Sequence, residues 1–148
     1  MECSNSMIDS LERFQNQVMR TILKADRTSC TQSMRSELGL LTLKNRRRFL
    51  RFQLVYKIIN DYNCPNQLKG YLPRRSSLHE RDLRDSTTLH LPKANTTVGQ
   101  KTFQYAAAKD WNDLPKSIRS ITTLSSFKAA LYSFLLKSGK LSHRCRVN

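Results

Sequence analysis

Residues 101–131 read KTFQYAAAKDWNDLPKSIRSITTLSSFKAAL and contain the only tryptophan of the chain, Trp111. Phe103, Ala106, Ala107 and Trp111 return at three- and four-residue steps, the period of one helix face. Leu114-Pro115 stops that helix, because the residue before a proline avoids the helical region. Pro115 suits the first turn of a further short helical piece through Ser120. Thr123 or Ser125 can cap a last helix that turns Leu124, Phe127, Leu131 and Phe134 inward. The stretch therefore assigns helices over 103–113 and 124–137, with Trp111, Phe103, Leu114, Pro115, Phe127 and Leu131 as structural core.

Working outward, Ile8, Leu11, Phe14, Val18 and Ile22 mark a helix over 6–25 whose apolar stripe faces a partner. A short helix covers 31–38, ended by Gly39 in a left-handed conformation. Thr42 caps a third helix over 43–60, LKNRRRFLRFQLVYKIIN. Its later turns are apolar on two sides, Leu50, Leu54 and Ile58 against Phe52, Val55 and Ile59, and should be sandwiched. Residues 61–72 hold a breaking proline and at most one helical turn. Residues 73–102 are polar, rich in Ser, Thr and Arg, and lack helical periodicity. They read as a long basic loop with short extended pieces, a weak β-hairpin being expected around Leu89 to Pro92. The fold class is mostly α: one small helical domain over 1–137, followed by a basic tail over 138–148.

Lys and Arg number 26 against 11 acids, for a net charge of +15 in 148 residues. No acid follows Asp113, although the last 35 residues carry seven Lys or Arg. Such a balance calls for an anionic partner, and nucleic acid ranks first because phosphate contacts release counterions. No membrane is expected, since no apolar run is long enough to span one and no segment sets an apolar face against a clean basic face. Cys3, Cys30, Cys64 and Cys145 are far apart and form no zinc-type spacing, so reduced intracellular thiols are expected. The N-terminus lacks the basic start and apolar run of an export signal.

Chemistry-bearing motifs are few. There is no Gly-rich phosphate loop, no G-x-S-x-G, no H-E-x-x-H and no adjacent Asp-Asp pair, so neither enzymatic activity nor a cofactor is expected. His79, His90 and His143 are isolated, and no metal site is assigned. Tyr56, Tyr62 and Tyr71 are candidates for stacking on bases, with packing the commoner fate. The densest cationic run is Lys44, Arg46, Arg47, Arg48 and Arg51. It is suited to phosphate contact, or alternatively to a solvated surface or a nuclear-targeting run. Arg74, Arg75, Arg81 and Arg84 in the basic loop complete the candidate contacts. The helix–turn–helix order of 31–60 also resembles a DNA-binding motif, but the second helix is too apolar in its later turns to lie in a groove.

The motif order resembles the ending of the reverse-transcriptase polyprotein of non-LTR (LINE-type, jockey-like) retrotransposons. The matching positions are Phe103, Tyr105, Ala107, Trp111, Asn112, Leu114, Pro115, Ile118, Arg119, Phe127, Lys128 and Leu131. Upstream, Leu11, Gln15, Asn16, Arg20 and Ile22 fit that family's LxxxQNxxxRxI helix, and LGLLTLKNRRRFLRFQLVYKIIN fits its next elements. Arg84, Leu91 and Pro92 fit the loop before the tryptophan. Leu40 stands where the family often has Trp, and no Cys/His knuckle closes the chain. The resemblance implies a non-catalytic segment following the palm and thumb of an RNA-directed DNA polymerase whose catalytic carboxylates lie upstream. It would bind template RNA or target DNA with low sequence specificity, in the nucleus. Alternatives are a structural buttress packed on the polymerase thumb, with the upstream domain as partner, or a decayed relic of a mobile element.

Overall fold

The structure, a computed structural model, describes residues 5–68, 70–78 and 87–141. Its described part is mostly helical. The helices are α1 (Asn5–Leu23), α2 (Thr31–Glu37), α3 (Leu43–Ile59), α4 (Arg75–Leu78), α5 (Thr97–Gln100), α6 (Phe103–Asn112), α7 (Lys116–Arg119) and α8 (Leu124–Leu141). A single 3₁₀ turn spans Asn66–Leu68. Contacts gather into two compact units: described residues up to Phe49 with those from Tyr132 onward, and Leu50–Leu131.

In the first unit, local sequence sets the helix ends. Thr42 accepts from the backbone N–H of Asn45 through its hydroxyl at 3.2 Å, capping α3 as its sequence position predicts. Gly39 adopts φ +62°. Leu40 N–H then reaches Arg35 O at 2.8 Å and Gly39 N–H reaches Ser36 O at 3.3 Å, which satisfies two carbonyls left open by the end of α2. α1 ends the same way, with Ala25 N–H on Arg20 O, but there the left-handed residue is Lys24 at φ +49°. Neighbouring polar residues of α1 tie the unit together. Gln15 donates to Leu41 O at 3.2 Å, and Asn16 accepts from the buried Arg35 at 2.9 Å. Asn45, also buried, donates to Leu135 O at 3.0 Å. Met19, Met34, Leu41 and Leu135 form the apolar centre.

The second unit is built around Trp111, which is 2% exposed. Its ring lies 5.8 Å from that of Phe127, which in turn stacks on Tyr56 at 4.4 Å. Phe52, Val55, Leu72, Leu89, Leu114 and Leu131 are buried in the same unit. Each fully buried large apolar side chain contributes roughly 1.5–3 kcal/mol. The indole N–H of Trp111 donates to Thr87 O at 3.0 Å, and Asn112 bonds both backbone groups of Leu89. Leu89 also forms an antiparallel bridge with Arg74, flanked by Arg75 N–H to Thr88 O and His90 N–H to Pro73 O.

Several expectations are corrected. No strand forms among the described residues: the hairpin expected at Leu89 to Pro92 reduces to the one Arg74–Leu89 bridge. The supposed loop holds two one-turn helices, α4 and α5. α8 runs on to Leu141, so helix replaces the first residues of the supposed tail. Phe103 and Pro115 are exposed rather than core; Phe103 begins α6 and stacks on Tyr71 at the surface, centroids 6.4 Å apart. α3 is not sandwiched along its length, because Leu50 and Leu54 are 53% and 39% exposed. Cys30 is disulfide-bonded, against the expectation of reduced thiols throughout, whereas Cys64 is free. Separation along the sequence does not prevent two thiols from meeting in space.

Candidate nucleic-acid interface

The basic run occupies the first turns of α3, where the Thr42 cap and the Asn45–Leu135 bond fix the backbone. Lys44, Arg46 and Arg47 are exposed, and Arg48 is half-buried. Lys44, Arg47 and Arg48 stand at i, i+3 and i+4 and so share one face, while Arg46 lies on another. No acid occupies this first turn. Cations there oppose the helix dipole at a cost of about 0.3–1 kcal/mol each when exposed, which a bound anion offsets.

Arg51, the last residue of the run, lies in the other unit and is committed differently. Its Nη1 donates to Asp110 Oδ2 on α6 at 2.8 Å, and both side chains are partly covered. The charge-assisted bond fixes the guanidinium in place. Arg51, Asp110, Lys101, Lys109, Tyr105, Gln100, Thr97 and Ala106 line an open cleft of about 410 Å³. Lys101 and Lys109 were not among the residues singled out from the sequence, and Tyr105 entered only as a position of the family resemblance, not as a binding residue. Tyr105 and Lys109, four apart in a helix, carried the only signal, and a Lys beside a Tyr is too common for that spacing to mark a site.

Arg74 and Arg75 are exposed next to the Leu89 bridge. Arg81, Arg84, His79 and His143 lie outside the described residues. Tyr56 is buried and its hydroxyl donates its one proton to Thr122 O at 2.5 Å, with Ile121 O at 3.2 Å, which removes it as a stacking platform. Burial, and secondarily the nearby Tyr62, pushes its phenol up from the ordinary value. Tyr62 and Tyr71 remain exposed. His90 is exposed, and among the described residues no three His, Cys, Asp or Glu gather as metal ligands. No described helix is long and apolar enough to cross a membrane.

Arg35 is the polar residue that sequence reading missed altogether. It is 5% exposed, and its Nη2 also stands 3.9 Å from Glu12 Oε2. Its role is to join α2 to α1, and nothing adjacent to it in sequence signals a buried charge. Comparison with protein-family models, curated protein sequences and solved structures finds no match for this chain.

Proposed function

We propose that this chain is a non-catalytic nucleic-acid-binding segment of the kind that ends non-LTR retrotransposon reverse transcriptases, gripping phosphates of template RNA or target DNA in the nucleus with low sequence specificity. The observation that carries the reading is the capped start of α3, which presents Lys44, Arg46 and Arg47 to solvent with no acid in the same turn. On a chain of net charge +15, such a turn gains more from phosphate than from water.

The test is fluorescence anisotropy of the chain with labelled duplex DNA and structured RNA across a salt series, with folding checked by circular dichroism. Replacing Lys44, Arg46 and Arg47 together by Ala should make the slope of log affinity against log salt for duplex DNA shallower by about two to three. An unchanged slope removes these residues from the interface, and no binding by the folded wild type removes the function.

A second reading, a buttress packed on an upstream polymerase domain, is favoured by one observation. Met7, Leu11, Phe14, Val18 and Ile22 form an exposed apolar stripe along α1. Exposed apolar patches of that extent mark contact surfaces. Slower amide hydrogen exchange in α1 when the polymerase domain is supplied supports this reading, and unchanged exchange rejects it.

A further inference from the structure

We infer that the cleft between α5 and α6 holds one nucleotide of a single-stranded nucleic acid, its base against Tyr105 and its flanking phosphates at Lys101 and Lys109. The inference rests on the nucleic-acid reading above and deepens it.

Charge comes first. Among the described lining residues, three cations, Arg51, Lys101 and Lys109, stand against one carboxylate, Asp110. Lys101 and Lys109 are exposed, where phosphates can reach them. Arg51 is anchored by the 2.8 Å bond to Asp110 and is one-third exposed, so it is held on the wall instead of swinging into solvent. A guanidinium carries five N–H donors, and the bond to Asp110 uses one of them.

Shape and chemistry then select the ligand. At about 410 Å³ the cleft is of the size that takes a small molecule or a single nucleotide, and far too small for a duplex. Tyr105 is half-buried on α6, one turn from Lys109, which places an aromatic ring and a cation on the same side of the helix. A base inside a duplex is stacked on its neighbours and offers no free face; an unpaired base does. Gln100 on the wall gives one amide hydrogen to Ala94 O at 3.4 Å, and its second N–H and its oxygen are the groups suited to a base edge.

The experiment uses the full chain with a fluorescein-labelled twelve-nucleotide oligouridylate and a duplex of the same length, with Tyr105→Leu and Lys101→Gln/Lys109→Gln variants. For Tyr105→Leu the ratio of single-strand to duplex affinity should fall about tenfold. For the double lysine variant the single-strand salt slope should become shallower by about 1.4. Thermal unfolding verifies that each variant is folded, and if Tyr105→Leu is not, the lysine slope decides alone. Wild-type binding with an unchanged ratio or slope overturns the cleft assignment and leaves the functional reading standing. A wild type that binds neither nucleic acid overturns both.

Discussion

The carboxamide of Asn112 bonds both backbone polar groups of Leu89, accepting from its N–H at 2.8 Å and donating to its carbonyl at 3.0 Å. One residue earlier, the indole of Trp111 holds Thr87 O at 3.0 Å. The end of α6 thus serves segment 87–89 as a neighbouring strand would, and Leu89, 1% exposed, is locked over the core. The Trp-Asn pair is an aromatic anchor followed by a backbone clamp.

Asn112→Ala should therefore destabilise the chain by about 2 kcal/mol, since it leaves both groups of a buried residue unpaired. Asn112→Asp keeps the acceptor but turns an oxygen towards Leu89 O, and should cost at least as much at neutral pH. Part of that loss should return on acidification, when the carboxyl regains a proton to donate. Urea unfolding followed by fluorescence of Trp111, the sole tryptophan, reads both effects.

Helix existence and ends were legible in the sequence where the signal is local. Thr42, Gly39 and the Leu114-Pro115 stop act within a few residues, and the structure uses Thr42 and Gly39 as their types require. Phe103 was misread because a wheel shows direction and not cover. It shares a face with Ala107 and Trp111, yet it begins α6 at the surface. The candidate site was half legible. The exposed cations at the start of α3 follow from composition and spacing, whereas the Arg51–Asp110 bond joins residues 59 apart and carries no sequence signature.

Tyr56→Phe separates a hydrogen-bond effect from a titration. At neutral pH the loss of the hydroxyl, whose one proton goes to Thr122 O, should cost about 1 kcal/mol. The phenol is pushed above its ordinary value of about 10, chiefly by burial and then by Tyr62. Above that pH the unfolded chain gives up a proton that the folded chain keeps, so wild-type stability falls as pH rises towards the folded pKa. The variant lacks this component, and its deficit relative to wild type should shrink above about pH 10. A deficit constant with pH would show that the burial does not act on the phenol.

Lys24 closes α1 at φ +49°, a conformation that costs an L side chain energy and glycine almost none. Lys24→Gly should raise stability by roughly 0.5–1 kcal/mol, the relief of the left-handed backbone less the added freedom of the unfolded chain. The same change at Arg20, inside α1, should lower stability by about 1 kcal/mol. Opposite signs at two residues four apart, measured by thermal unfolding, fix the end of the helix; equal signs place it elsewhere.

The stripe on α1 meets the charge of the whole chain. Met7, Leu11, Phe14, Val18 and Ile22 span about 80° of the helix at about 100° per residue, and Leu11 and Phe14 are 56% and 66% exposed. At low salt a net charge of +15 keeps copies of the chain apart. Near 1 M salt the screening length drops to about 3 Å, the repulsion vanishes, and the apolar contacts decide. Wild type should therefore self-associate as salt rises, whereas its binding to nucleic acid weakens over the same range. Leu11→Gln/Phe14→Gln should stay monomeric in high salt with its unfolding midpoint nearly unchanged, because neither side chain is core. Sedimentation velocity at low and high salt reads the first expectation and thermal unfolding the second. A large fall in midpoint would mean that these residues are covered within the chain, and the stripe would then be lost as a contact surface.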